Sequence, residues 1–152
     1  IMIKPKKLPA MFSIREGDIA TAVALSKQIP EFVNPHEADE YEKRLRSVPH
    51  LILVAFANEE PVGFKVGYER DGAFYSWMGG MLPDFRRLGL AKALADAQER
   101  RARQQGYKTI TCKTRNCHKG MLIFALKNGF DIIGFEPRAT IEQHRILLRK
   151  NL

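Results

Sequence analysis

Eleven residues between a strand pattern and a helix pattern restrict this chain more than any other part of it. Met81-Leu82-Pro83-Asp84-Phe85-Arg86-Arg87-Leu88-Gly89-Leu90-Ala91 leaves the run Ala73–Met81 and enters the longest helical pattern, Leu88–Gln105. Its core is Arg86-x-x-Gly89-x-Ala91. The first N–H groups of a helix have no internal partner and point outward. The helix dipole adds roughly half a positive charge at that end. Gly89 lets a ligand approach the backbone, and the small Ala91 keeps the wall low. Arg86, Arg87 and Lys92 add formal charge. The turn is therefore expected to cradle an anion such as a pyrophosphate. No GxxxxGK[ST] and no GxGxxG occurs, which excludes a P-loop and a dinucleotide fingerprint. An ordinary strand–helix turn, with glycine serving geometry alone, is the competing reading.

The remaining pattern sets the frame around this turn. Phe12–Arg15 reads as a short strand, and Asp18 caps a helix running to about Gln28. A second helix follows from about Glu37 to Arg46. Leu51–Ala57 and Val62–Glu69 are strands, and Asp71-Gly72 turns the chain into Ala73–Met81. After the long helix come a strand at Thr109–Thr114, a helix opened by Asn116 and running to about Lys127, and strands at Phe130–Phe135 and Ile141–Leu148. The order β-α-α-β-β-β-α-β-α-β-β predicts a mixed α/β fold: an antiparallel meander, then a β-α-β-α-β tail. A length of 152 residues suits one domain over 1–152.

Charge singles out the same region. Between Pro83 and Asn128, 11 bases face 3 acids, so this segment alone accounts for the net charge of +8. Such a field suits nucleic acid or a small phosphorylated cofactor. No helix-turn-helix, zinc finger or RNP aromatic pattern supports nucleic acid. No apolar run approaches the ~20 residues of a membrane span. Lys4, Lys6 and Lys7 are not followed by the apolar stretch of a signal peptide. Cys112 and Cys117 form no CxxC pair, which points to the reducing cytosol. His36, His50 and His144 have no metal spacing.

The turn, together with Asn116 and Asn128-Gly129-Phe130 downstream, resembles the GNAT superfamily of acyl-CoA N-acyltransferases, whose signature is R/Q-x-x-G-x-G/A. Arg86, Gly89 and Ala91 occupy its fixed places, and the order of elements is similar over nearly the whole chain. The resemblance implies a central, mostly antiparallel, twisted sheet of about seven strands flanked by about four helices. It implies acetyl-CoA as co-substrate, held at the pyrophosphate by Arg87, Leu88, Gly89, Leu90, Ala91 and Lys92, with Arg86 beside them. Gly79 and Met81 would pair with the pantetheine as a strand does. Asn116 would reach its arm near the thioester, and Lys119 would meet a phosphate. It further implies an amine acceptor, small molecule or peptide, near Glu31, Phe32, Tyr75 and Trp77. The protein would act as a monomer or homodimer, without specific nucleic acid, membrane or metal.

The usual acid and base of similar proteins are missing. A Tyr is expected seven residues after Asn116, where this chain has Ile123 followed by Phe124. A Glu is expected on the strand before the turn, and Ala73–Met81 has no carboxylate. Tyr75 is then the nearest hydroxyl, His118 a second titratable group, and water the expected proton carrier. Asn116 is assigned to placing the thioester, or to a plain helix N-cap. A GNAT-like module that binds acyl-CoA without turnover is the alternative function.

Overall fold

The computed structural model describes residues 11–152; Lys4, Lys6 and Lys7, on which the signal-peptide reading rests, lie outside them. The elements are β1 (Phe12–Glu16), α1 (Ile19–Lys27), α2 (Ala38–Leu45), β2 (His50–Ala57), β3 (Glu60–Arg70), β4 (Ala73–Met81), α3 (Leu90–Gln104), β5 (Thr109–Arg115), α4 (Lys119–Lys127), β6 (Asp131–Glu136) and β7 (Arg145–Asn151). The fold is mixed α/β, with seven strands in one sheet and four helices. Strand order is β1-β2-β3-β4-β5-β7-β6. Every neighbouring pair is antiparallel except β4 and β5. Two parallel neighbours need a long crossover, and α3 supplies it.

Alternating apolar residues give the sheet two buried faces. Ile52, Val54, Phe64, Val66, Tyr68 and Tyr75 pack under α1 and α2. Leu51, Leu53, Ala55, Phe74 and Ile110 pack with Leu90, Leu94 and Ala102 of α3 on the other face. α1 begins where Asp18 accepts a hydrogen bond from the Thr21 N–H at 2.9 Å. The Thr21 side chain first, and this main-chain bond second, hold the Asp18 carboxyl below the usual carboxylate range. Asp18→Ala is expected to cost about 1 kcal/mol of stability, measured by urea unfolding at neutral pH. A folded-state pKa below the unfolded value means the contribution is present above about pH 4. It disappears as pH falls through the lowered value, so the two proteins should converge in acid.

Two expected boundaries are corrected. Asn116 does not cap α4: the helix starts at Lys119 with His118 at the cap position. The Asn116 amide instead donates to the Ile141 carbonyl at 2.9 Å, and its main-chain N–H donates to the His144 carbonyl at 3.0 Å. Asn116 therefore lies outside the helix that carries Lys119. Residues Ile141–Gln143 form a 3-10 turn rather than the start of a strand, and β7 begins at Arg145. The bonds from 116 and 117 use carbonyls that a strand ladder would otherwise engage.

Candidate active site

The parallel contact between β4 and β5 is short. It joins Phe74 to Ile110, Tyr75 to Thr111 and Ser76 to Cys112, and then stops. A bulge accompanies the parting, since Val66 faces Met78 while Gly67 faces Ser76, leaving Trp77 as the extra residue. The edge of Trp77–Met81 on the β5 side consequently has no strand partner, while Lys113–Arg115 of β5 pair with β7. An open strand edge accepts an extended ligand by main-chain hydrogen bonding. Gly79 and Met81, singled out from sequence, both lie on it.

Beyond Met81, Pro83–Phe85 make one 3-10 turn. The backbone then enters the left-handed region at Arg87 (φ 62) and again at Gly89 (φ 80). This conformation aims consecutive N–H groups outward, a shape that binds anions. The Ala93 N–H returns to the Gly89 carbonyl at 3.0 Å. The N–H groups of residues 87–92 have no protein partner among the described residues. A Cβ added at Gly89 would meet nothing within 4 Å. A row of free donors, a helix N-terminus and open space therefore coincide, and they fit a polyphosphate.

The cations around the turn differ in freedom. The Arg86 guanidinium clasps Glu31 with two bonds of 2.6 and 2.7 Å and also donates to the Met81 carbonyl at 3.1 Å. Glu31 is held well below the usual carboxylate range, chiefly by that bond. Lys92 is paired with Asp96 at 2.6 Å. Arg87 has no ion-pair partner among the described residues, and neither has Lys119 at the start of α4. The expected ring of three free cations is thus reduced to one at the turn, with Arg86 tying the segment after α1 to the end of β4.

The opposite face of β4 carries aromatic residues. Tyr75 is buried and meets Tyr68 edge-on at 5.5 Å. Burial raises its pKa. Trp77 lies 4.7 Å from Tyr41 and 5.6 Å from His36, and the Arg44 guanidinium sits 4.5 Å above its ring. Phe32 reaches the same face, since a Cβ on Gly80 would come within 3.3 Å of its ring. Glu31, Phe32, Tyr75 and Trp77 therefore border one side of the sheet, with Gly80 as the low point between them. On α4 the cleft is lined by Met121 and Phe124, whereas Ile123 is 52 % exposed. No side chain of α4 that lines the cleft can donate a proton; Asn128, just past the helix end, gives its amide N–H to the Phe124 carbonyl at 2.7 Å.

Sequence reasoning missed several residues of this region. Arg44 and His36 come from α2 and its approach and meet Trp77 only through packing. Lys65, Gln98 and Glu99 line the cavity below the strand gap. A lysine between Phe64 and Val66 was the available signal, because it breaks an otherwise apolar strand. Among the described residues no group of three or more His, Cys, Asp or Glu is arranged for a metal. No helix among them is long and apolar enough to cross a membrane.

The comparisons with known proteins agree with this fold. The model of the acetyltransferase (GNAT) family matches residues 20–130. No protein of curated function matches the sequence. Among solved structures, the ribosomal-protein-S18-alanine N-acetyltransferase of Escherichia coli superposes with a TM-score of 0.80, at 15% identity over 93% of this chain and 94% of that one. Ard1 from Thermoplasma volcanium gives 0.79, at 18% identity over 93% and 97%. A GNAT family acetyltransferase from Elizabethkingia anophelis with acetyl-CoA bound gives 0.73, at 21% identity over 93% and 98%.

Proposed function

The chain belongs to the GNAT acetyltransferase family, and from that premise we propose that it is an N-acetyltransferase that moves an acetyl group from acetyl-CoA to a primary amine by direct attack. The observation that carries this reading is the continuity of the open β4 edge with the row of free N–H donors at residues 87–92. The donors suit the pyrophosphate, and the edge at Gly79–Met81 suits the pantetheine. Acetyl-CoA would supply an acyl thioester, which an amine attacks without a prior acyl-enzyme. The residues here bind and orient: main-chain donors near the bulge polarise a carbonyl, and the clasp of Arg86 and Glu31 fixes the acceptor-side segment. Acceptor contacts fall to Phe32 and Trp77. We assign 1–152 to one such domain acting in the cytosol, in keeping with its two free thiols.

The experiment is release of free CoA thiol from acetyl-CoA across a panel of primary amines. Thiol release that depends on an amine supports the transferase. Tight acetyl-CoA binding without release from any amine favours a binding module. Once an acceptor is found, Tyr75→Phe and His118→Ala are each expected to lose less than about tenfold in kcat, roughly 1.4 kcal/mol. Tyr75 lies in the paired part of β4, and His118 caps α4. A positioned acid or base contributes about 10²–10⁴-fold. A hundredfold loss with one limb of the pH–rate profile missing would identify Tyr75 as the acid.

A further inference from the structure

On the sheet face beneath α3, β3 places one lysine between two glycines. On β3 the residues turned to this face are Gly63, Lys65 and Gly67. A Cβ on Gly67 would lie 2.8 Å from Gln98 Nε2 and 2.4 Å from the Phe74 ring. A Cβ on Gly79 would lie 3.4 Å from Lys65 Cγ. The lysine stem therefore crosses β4 where β4 has no side chain, heading for the gap beside β5. There it joins a cavity of about 60 Å³ whose walls include Ser76, Gly79, Cys112, Gln98 and Glu99. At roughly 10–15 Å³ per water-sized position, that is room for about four to six such positions.

The polar groups in this cavity are not balanced among themselves. Gln98 is 1 % exposed, and neither its Oε1 nor its Nε2 has a partner among the described residues. A buried amide left unmatched is destabilising, because it has given up water without gaining a partner. Glu99 Oε1 stands 2.7 Å from Lys150 Nζ as an ion pair, though without hydrogen-bond alignment. Arg103 approaches the same carboxylate at 3.9 Å. Lys113, also on the wall, faces Glu136 at 3.8 Å. The carboxylate is thus answered by cations from outside the cavity, and Lys65 has no ion pair or hydrogen bond of its own among the described residues. Desolvation lowers its pKa, so an anion beside it would relieve both groups.

We propose that this cavity also receives the end of an acyl group that carries a terminal carboxylate, with Lys65 and Gln98 as its recognition pair, so that dicarboxylic acyl-CoA thioesters are donors beside acetyl-CoA and bind more tightly than uncharged acyl-CoA of equal length. The inference rests on the cofactor reading above, because only a thioester held along β4 at Gly79 delivers its acyl group here. A malonyl or succinyl group adds three or four non-hydrogen atoms beyond acetyl, which the volume accommodates. The carboxylate accepts from the Lys65 ammonium and from Gln98 Nε2, while the aliphatic part lies against Phe124 and Ala125. Glu99, paired with Lys150 at 2.7 Å, also acts on Lys65 through space, but forms no ion pair with it among the described residues.

Isothermal titration of the full chain with coenzyme A, butyryl-CoA and succinyl-CoA tests this directly. The last two have acyl chains of equal carbon number and differ in the terminal charge. Succinyl-CoA is expected to bind at least tenfold more tightly than butyryl-CoA. Lys65→Met should bring that ratio close to one, and Gln98→Glu, which places a second carboxylate beside the lysine, should invert it. Circular dichroism establishes that each variant is folded. Equal affinities of the unaltered protein for butyryl-CoA and succinyl-CoA, with coenzyme A bound normally, overturn the acyl-carboxylate site alone. No binding of any of the three overturns the cofactor reading together with it. A ratio unchanged in both folded variants assigns the preference elsewhere and removes Lys65 and Gln98 from it.

Discussion

A folded Gly89→Glu protein is expected to lose coenzyme A binding by two to three orders of magnitude. Gly89 faces open space at the mouth of the turn, among N–H groups of residues 87–92 that have no protein partner among the described residues. Take a carboxylate introduced there and a bound phosphate to be about 5 Å apart. At an effective dielectric constant near 20 the repulsion is about 3 kcal/mol for one pair of charges. Each 1.4 kcal/mol is tenfold in affinity. The backbone adds a second effect, because φ at Gly89 is 80° and side chains with a Cβ are disfavoured there by roughly 1–2 kcal/mol. Gly89→Asn separates the two: asparagine tolerates the left-handed region and carries no charge, so its loss should be much smaller. Isothermal titration with coenzyme A, beside a thermal melt for each variant, makes the measurement. Unchanged affinity in folded Gly89→Glu would remove the turn from the cofactor site.

Phe74→Ala should lower stability by about 3–5 kcal/mol, a large part of the 5–15 kcal/mol that holds a typical domain. Phe74 is 1 % exposed and belongs to the cluster under α3. It meets Tyr107 edge-on at 5.4 Å, and it begins the short parallel contact with β5 at Ile110. Removing the ring opens a void where the sheet is held by only three residue pairs before the strands separate. Urea unfolding measures the loss. Phe135→Ala, at a ring 62 % exposed on the edge strand β6, is the comparison and should stay within about 0.5 kcal/mol. A Phe74→Ala loss no larger than that of Phe135→Ala would show that the contact at the base of the gap bears little of the stability.

Much of the frame was legible because its signals are local. Asp18 at the start of α1, Asp71-Gly72 between β3 and β4, and the apolar run before Asn58 depend on neighbours in sequence, and all three lie in the expected elements. The turn at Arg86–Ala91 was legible for the same reason: a glycine between a strand and a helix forces the left-handed backbone that exposes the N–H groups. The start of α4 was misread because Asn116 is a good capping residue whose amide finds the Ile141 carbonyl, 25 positions away, instead of a helix N–H. No local rule anticipates a competitor so distant in sequence.

The order of elements, the family resemblance and the position of the strand–helix turn with its outward N–H groups follow from the sequence, since propensity, periodicity and turn chemistry act over a few residues. Tertiary structure alone decided which charges at that place are free. Arg86 and Lys92 look alike in the sequence, yet one is bound to Glu31, 55 positions away, and the other to Asp96 on the next helical turn. It also decided where β4 parts from β5, because a bulge at Trp77 is a property of two strands in register. And it turned Lys65, an odd residue in an apolar strand, into the unpaired cation of a cavity. Burial removes water as a partner, and only the surrounding elements determine whether another partner takes its place.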